Sequence, residues 1–153
     1  MPDLLAGTTV KALDTPSTQS DVEGSSYDFT ITTFGTASTT GTYADCAVTF
    51  TAPTSGRVEI CTTARMINST TAGTLVSPET RTGSTIGSGT IVEGASDGIG
   101  TSHYGASFAR TGVTHVLSGL TPGSAYNTRL LHRVSGASTG TVALRELSVK
   151  PLS

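Results

Sequence analysis

Nearly a third of this chain carries a side-chain hydroxyl: 30 Thr and 19 Ser among 153 residues. Thr is β-branched, so it loses rotamer freedom in a helix and packs well on a pleated surface. Ser, together with 18 Gly and 6 Pro, favours turns. The apolar pattern points the same way. No stretch of useful length has apolar residues at helical spacing, whereas alternation with period two recurs along the chain. Around Cys46 the even positions Ala44, Cys46, Val48 and Phe50 are apolar, and further on Val58, Ile60, Ala64 and Met66 repeat the phase. The alternation predicts strands near residues 27–34, 44–51, 57–67, 75–82, 85–93, 103–110, 113–120, 125–133 and 141–150. That many short strands suits two packed antiparallel sheets.

Local signals refine the picture. Pro78 has no N–H for a ladder, so the 75–82 strand should be an edge or contain a bulge. Val142 and Leu144 share one face while Leu147 and Val149 share the other, which calls for a bulge or a sheet crossing near Arg145–Glu146. Pro53-Thr54-Ser55-Gly56 reads as a hairpin turn between 44–51 and 57–67. Residues 94–102 read as a surface loop within a Gly-rich segment. Residues 1–26 are polar and carry two Pro, with short apolar clusters at Leu4-Leu5 and Val10 to Leu13. They read as an arm, which leaves residues 27–153 as the folded domain. The expected fold is all-β: an antiparallel two-sheet β-sandwich, jelly-roll-like, with an extended N-terminal arm. Leu4, Leu5, Val10 and Leu13 are the arm's candidate docking residues, against a partner, another copy, or the chain's own sandwich.

Charge excludes some partners. Only 13% of residues are charged, the net charge is -2, and Lys11 and Lys150 are the two lysines. With no basic run to track phosphates, nucleic acid is not an expected partner. The apolar runs are too short for a membrane span or for a signal-peptide core after Met1. Residues 1–50 hold six acids against Lys11, whereas residues 103–150 are net basic. That asymmetry suits head-to-tail contact between copies, and equally two solvated faces of opposite sign. Of the two cysteines, alternation turns Cys46 inward and Cys61 outward, so free thiols and folding in a reducing cytoplasm are expected.

No constellation for chemistry stands out. The histidines are His103, His115 and His132, and the nearest string to a nucleophile elbow, GASFA at 105–109, lacks its second Gly. His132 lies on the Tyr126/Leu130 face and reads as a packed residue. Glu59, Glu79, Glu93 and Glu146 each fit an exposed strand position, and nothing selects a catalytic pair. The string GSTIGSGT is followed by neither Lys nor helix, and Asp97-Gly98 is isolated, so neither a phosphate cradle nor a calcium loop is indicated. The expectation is a protein that is not an enzyme, with no catalytic residue, metal or cofactor. A sugar-binding surface would need an aromatic platform. Tyr27, Phe29, Phe50 and Tyr126 belong to core faces, which leaves Tyr43, Tyr104 and Phe108 as candidate glycan contacts.

Two strings resemble known sandwiches. SGLTPGSAYNTRLLHRV at 118–134, with Leu120, Pro122 and Tyr126, resembles the tyrosine-corner entry of fibronectin type III domains, although that family's early-strand Trp is missing. TFTAPTSGRVEI at 49–60 resembles a hairpin of tumour-necrosis-factor-like and complement-globular jelly rolls, which are trimers. Taken with AGTTVKALDTP, SPETRTGSTIGSGT and RELSVKP, the chain resembles small structural proteins of tailed phages infecting actinobacteria. The resemblance implies a virion structural protein, foremost a capsid decoration protein on the head surface. Its expected partners are the major capsid protein and its own copies, as a homotrimer. The alternative it implies is a tail or fibre module that recognises host cell-surface glycan.

Overall fold

The computed structural model describes residues 16–152, and among them there are ten strands and no helix. In chain order they are β1 (Gln19–Glu23), β2 (Tyr27–Phe29), β3 (Ala47–Thr51), β4 (Val58–Asn68) and β5 (Gly73–Thr82), then β6 (Ile91–Glu93), β7 (Thr101–Tyr104), β8 (Ala109–Leu117), β9 (Ala125–Val134) and β10 (Gly140–Pro151). One sheet runs β1-β10-β4-β8, with β2 also on β10; the other runs β3-β9-β5, with β6 and β7 sharing the far side of β5. All pairings are antiparallel. From β2 to β5, and again from β7 to β10, successive strands alternate between sheets. The orders β2-β10-β4-β8 and β3-β9-β5-β7 are those of a jelly roll.

That alternation corrects one expectation. The Pro53–Gly56 turn forms, with the Gly56 N–H donating to the Pro53 carbonyl at 2.9 Å, but β3 and β4 lie in different sheets. It is a crossover rather than a hairpin. Val48 and Phe50 of β3 then meet Val58 and Ile60 of β4 within one core. Period-two patterning fixes which face of a strand is buried, not which strand is its neighbour. Gly56 is required here: its φ is +66°, and a Cβ would fall 2.5 Å from the Leu120 carbonyl oxygen of the β8–β9 crossover.

Several boundaries also move. Residues 19–23, placed in the arm from sequence, form edge strand β1 on β10. The 27–34 strand stops at Phe29, and of 85–93 just Ile91–Glu93 remains strand. The expected 103–110 and 113–120 strands become β7 and a single β8. In β8 the inward positions after Ala109 include Thr111 and His115, which interrupt the apolar signal.

Pro78 sits in β5, opposite Leu130 of β9. The Leu130 N–H donates to Cys46 on the β3 side. The pair is therefore a non-hydrogen-bonded one, and the proline nitrogen faces away from β9. On that far flank β7 covers Gly73–Val76 and β6 covers Thr80–Arg81, so Pro78 falls in the gap between them. The phase change in β10 is a bulge: its register against β4 shifts between Ala143 and Arg145, and Leu144 has φ +50°. Val142, Leu147 and Val149 all reach the core as a result, and so does Arg145.

Candidate functional site: interaction surfaces around a buried polar cluster

The inward turn of Arg145 creates the most polar part of the interior. The residue is 1% exposed. Nη1 donates to the Ala44 carbonyl at 2.8 Å, and the group lies 4.8 Å from the Tyr27 ring centroid and 5.5 Å from that of Tyr43. Nε and Nη2 find no partner among the described residues. His132 packs beside it, its ring 4.0 Å from Phe29 and 5.0 Å from Tyr27. The Ala37 carbonyl, 2.9 Å away, can only accept, so Nε2 carries the proton and Nδ1 accepts from the Tyr27 hydroxyl at 3.0 Å. Burial, with the Arg145 charge nearby, pushes the imidazole down to about 4 and keeps it neutral. The Tyr27 and Tyr43 hydroxyls are likewise driven upward by burial. Cys46 is buried and free, its thiol pushed up to about 12 by burial and by Asp21; Cys61 is free and half-buried.

The cluster decides where one candidate glycan contact goes. Tyr43 is not a surface platform. Its ring packs edge-on against Tyr27, at 5.7 Å and 73°, and its hydroxyl lies 2.7 Å from Asp45 Oδ1 and 3.1 Å from the Leu130 carbonyl. It precedes β3, one edge of its sheet, whereas Tyr104 ends β7 on the opposite side. Tyr104 is 60% exposed, and its ring lies across Gly73, where a Cβ would come within 2.7 Å of it. Phe108 is also exposed and carries the Arg65 guanidinium 3.8 Å above its ring centroid. Tyr104 and Phe108 thus flank the β7–β8 connection, and Tyr43 is far from both. Leu4, Leu5, Val10 and Leu13 lie outside the described residues.

The titratable groups weighed for chemistry are occupied structurally. Glu79 corrects the expectation of an exposed position: it is 6% exposed, on β5 between Arg81 at 2.8 Å and Arg129 at 3.2 Å. Burial pushes its carboxyl up, but the two guanidiniums outweigh that and hold it below the usual carboxylate range. Glu146 pairs with Arg110 on the outer face, and that hydrogen bond lowers it as well. His115 meets Glu93 at 2.8 Å, tying β8 to β6 across the two sheets. His103 lies 2.7 Å from the Ser107 carbonyl. Among the described residues no group of three or more His, Cys, Asp and Glu could hold a metal ion. The Tyr126 hydroxyl accepts the Thr121 N–H at 3.0 Å, bracing the β8–β9 crossover.

Sequence reasoning missed a residue that organises a surface loop. Asn127 on β9 is fully buried. Its Nδ2 donates to the carbonyls of Gly83 at 3.0 Å, Ser88 at 3.2 Å and Thr82 at 3.4 Å, and its Oδ1 accepts from the Gly87 N–H at 3.0 Å. The Gly-rich string at 83–89 is thus wrapped around one amide. Asn127 shares β9 with Thr128, Arg129, His132 and Arg133 and stands opposite Arg81 and Thr49, so its sequence position did not set it apart.

Comparisons with known proteins add structural likenesses. No family model matches the sequence, and no curated protein matches it. Among solved structures, a chain from the structure of infectious bursal disease virus Gx strain is similar over 89% of this chain, with a TM-score of 0.48 and 10% identity. This chain spans 34% of that viral chain's length. A chain from Bacillus endospore appendages, described as a novel family of disulfide-linked pili, is similar over 95% of this chain and all of that one, with a TM-score of 0.29 and 14% identity.

Proposed function

We propose that this chain is a virion structural protein, a decoration protein that binds the outer surface of a phage head and stabilises the shell. The observation that carries the reading is the jelly-roll strand order, an architecture used by viral capsid domains and by lectins. Buried Asn127, His132 and Glu79 are each tied to backbone or to other side chains, which suits a rigid building block. The sequence resemblance to actinobacteriophage structural proteins supplies the virion setting. In this reading the major capsid protein is the partner, the copies form a homotrimer, and Leu4, Leu5, Val10 and Leu13 of the arm dock on the lattice. Ligand-like binding to the assembled shell stabilises it by mass action, and many weak contacts on a lattice add avidity.

Co-sedimentation tests this, using DNA-filled, tail-less heads that lack the protein, beside a parallel incubation with host cell walls. Saturable binding to heads at lattice stoichiometry is expected. Deleting residues 1–15, which leaves β1 whole, should weaken head binding by about 100-fold or more through lost avidity, with the melting temperature unchanged. Binding to walls and not to heads would overturn the proposal. Exposed Tyr104 on its Gly73 seat favours a second reading, a glycan-binding tail or fibre module. In that reading Tyr104→Ala abolishes wall binding; in the decoration reading it changes nothing.

A further inference from the structure

We propose that β1 is an exchangeable strand: in the assembled protein, residues 19–23 of one copy pair with β10 of a neighbouring copy. The partner for this surface is therefore a second copy of the chain. The inference deepens the self-association in the proposed function, but it does not depend on heads.

Three features carry it. First, β1 is attached without an apolar anchor. Gln19, Asp21 and Glu23 are half-buried, and Val22, the strand's one apolar residue, points outward and is 59% exposed. What holds the strand is its ladder to Glu146–Val149 and Arg145, plus contacts of Asp21 with the other sheet. Asp21 Oδ2 accepts the Ala47 N–H at 2.9 Å, and the Cys46 thiol approaches the Asp21 carbonyl at 3.7 Å. An identical strand from another copy reproduces every one of these contacts, so exchange leaves the interactions unchanged. A segment with little apolar burial also belongs to the low-stability end of a fold.

Second, the strand has a hinge. β1 and β2 lie end to end along the same edge of β10, β1 against Arg145–Val149 and β2 against Gly140–Val142. Gly24, Ser25 and Ser26 between them are exposed, and nothing lies within 4 Å of where a Gly24 Cβ would be. They stand opposite the Leu144 bulge, where the ladder is already interrupted. β1 can therefore swing away while β2 keeps its place.

Third, opening the strand relieves a cost. β1 closes the space between β10 and β3 near Arg145, whose Nε and Nη2 lack partners among the described residues. Lifting β1 admits water to those donors, which offsets part of the ladder lost on detachment. A shallow groove of about 290 Å³ runs across β1, β10 and β4 here, lined by Val22, Cys61, Thr63 and Glu146 among others.

The test places a thiol on each side of the ladder. Ser20 and Ser148 are register partners, so Ser20→Cys with Ser148→Cys puts two thiols within disulfide reach, in a Cys61→Ser background because Cys61 lines the same groove. After oxidation, a denaturing gel without reductant reads which chains are joined. Exchange predicts loss of both new thiols together with a ladder of covalent multimers that reduction collapses to 15.5 kDa. Loss of the thiols with a 15.5 kDa band alone shows β1 on its own β10 and overturns the proposal. Thiols that stay free show that β1 is seated on no copy's β10, which also overturns it. Mixing the two single variants gives an independent reading: exchange predicts a covalent heterodimer in clear excess over the homodimers that either variant forms alone. No heads are present, so failure here and failure of head binding are separate results.

Discussion

Asn127→Asp is expected to destabilise the protein by about 4 kcal/mol at neutral pH, although it is isosteric. Three carbonyls, of Gly83, Ser88 and Thr82, converge on the amide nitrogen, and one N–H, of Gly87, points at its oxygen. A carboxylate replaces the donor with a second acceptor, so three carbonyls lose their partner and a buried charge faces them. The buried partner is Asn127 itself, the carbonyls lying on exposed residues; losing its hydrogen bonds costs roughly 1–3 kcal/mol, and the buried charge adds to that. The total is a large fraction of the 5–15 kcal/mol that holds a typical domain together. Chemical denaturation measures it, and limited proteolysis should find new cleavage at 83–90. Part of the loss should return on acidification, as the introduced acid takes up a proton and regains a donor. A change under about 1 kcal/mol would show that the amide does not hold the loop.

Acid is the second lever. His132 is neutral in the folded state, and its value falls from the ordinary 6.5 to about 4. Above pH 6.5 both folded and unfolded chains carry the neutral ring, and the stability due to this site is complete. Between pH 6.5 and about 4 the unfolded chain binds a proton that the folded chain does not, so stability falls as pH falls. The full window corresponds to about 3 kcal/mol, at 1.36 kcal/mol per pH unit. The lowered carboxyls of Glu79, Glu23 and Glu146 act in the same direction, below the ordinary carboxylate value of 4.5. The window of His132 opens at pH 6.5, above theirs, so its share is read best between pH 6.5 and 4.5. Unfolding free energies of the parent chain should drop across that interval, whereas His132→Gln, lower throughout, should lose the histidine's share of the slope. Parallel curves for the two proteins would remove His132 as the acid-sensitive group.

What the sequence made legible, and what it hid, divides along physical lines. Strand faces were readable, because burial imposes period two; the Leu144 bulge was readable because one extra residue inverts that phase. The free thiols followed from the same arithmetic, as Cys46 and Cys61 fall on opposite faces. Sheet membership was not readable, since β3 and β4 satisfy the same alternation whether paired or facing each other across the core. β1 gave no signal because Gln19, Asp21 and Glu23 occupy its inner face. Tyr43 was left over because no core-face alternation claimed it; it lies before Ala47, outside any strand, and its ring packs on Tyr27. Arg145 shares its phase with Leu147 and Val149, so its inward turn was written in the pattern, but charge argued against it. Of the candidate contacts, the exposure of Tyr104 and Phe108 was legible because no core face claimed them.

The strand order also sets a timetable for synthesis. β10 is the last strand in chain order, yet it occupies the middle of its sheet, between β1 and β2 on one side and β4 on the other. Until it has emerged from the ribosome, β1 and β2 have no neighbour in their sheet, and β4 has β8 alone. Strands adjacent in sequence mostly belong to opposite sheets, so local hairpins cannot stand in while translation proceeds. A nascent chain interrupted before residue 140 displays unpaired edges and an open apolar face, the condition that invites chaperones, proteolysis or aggregation. Completion of this jelly roll thus waits for β10, the last of the described strands, and truncated products are denied a native-like form.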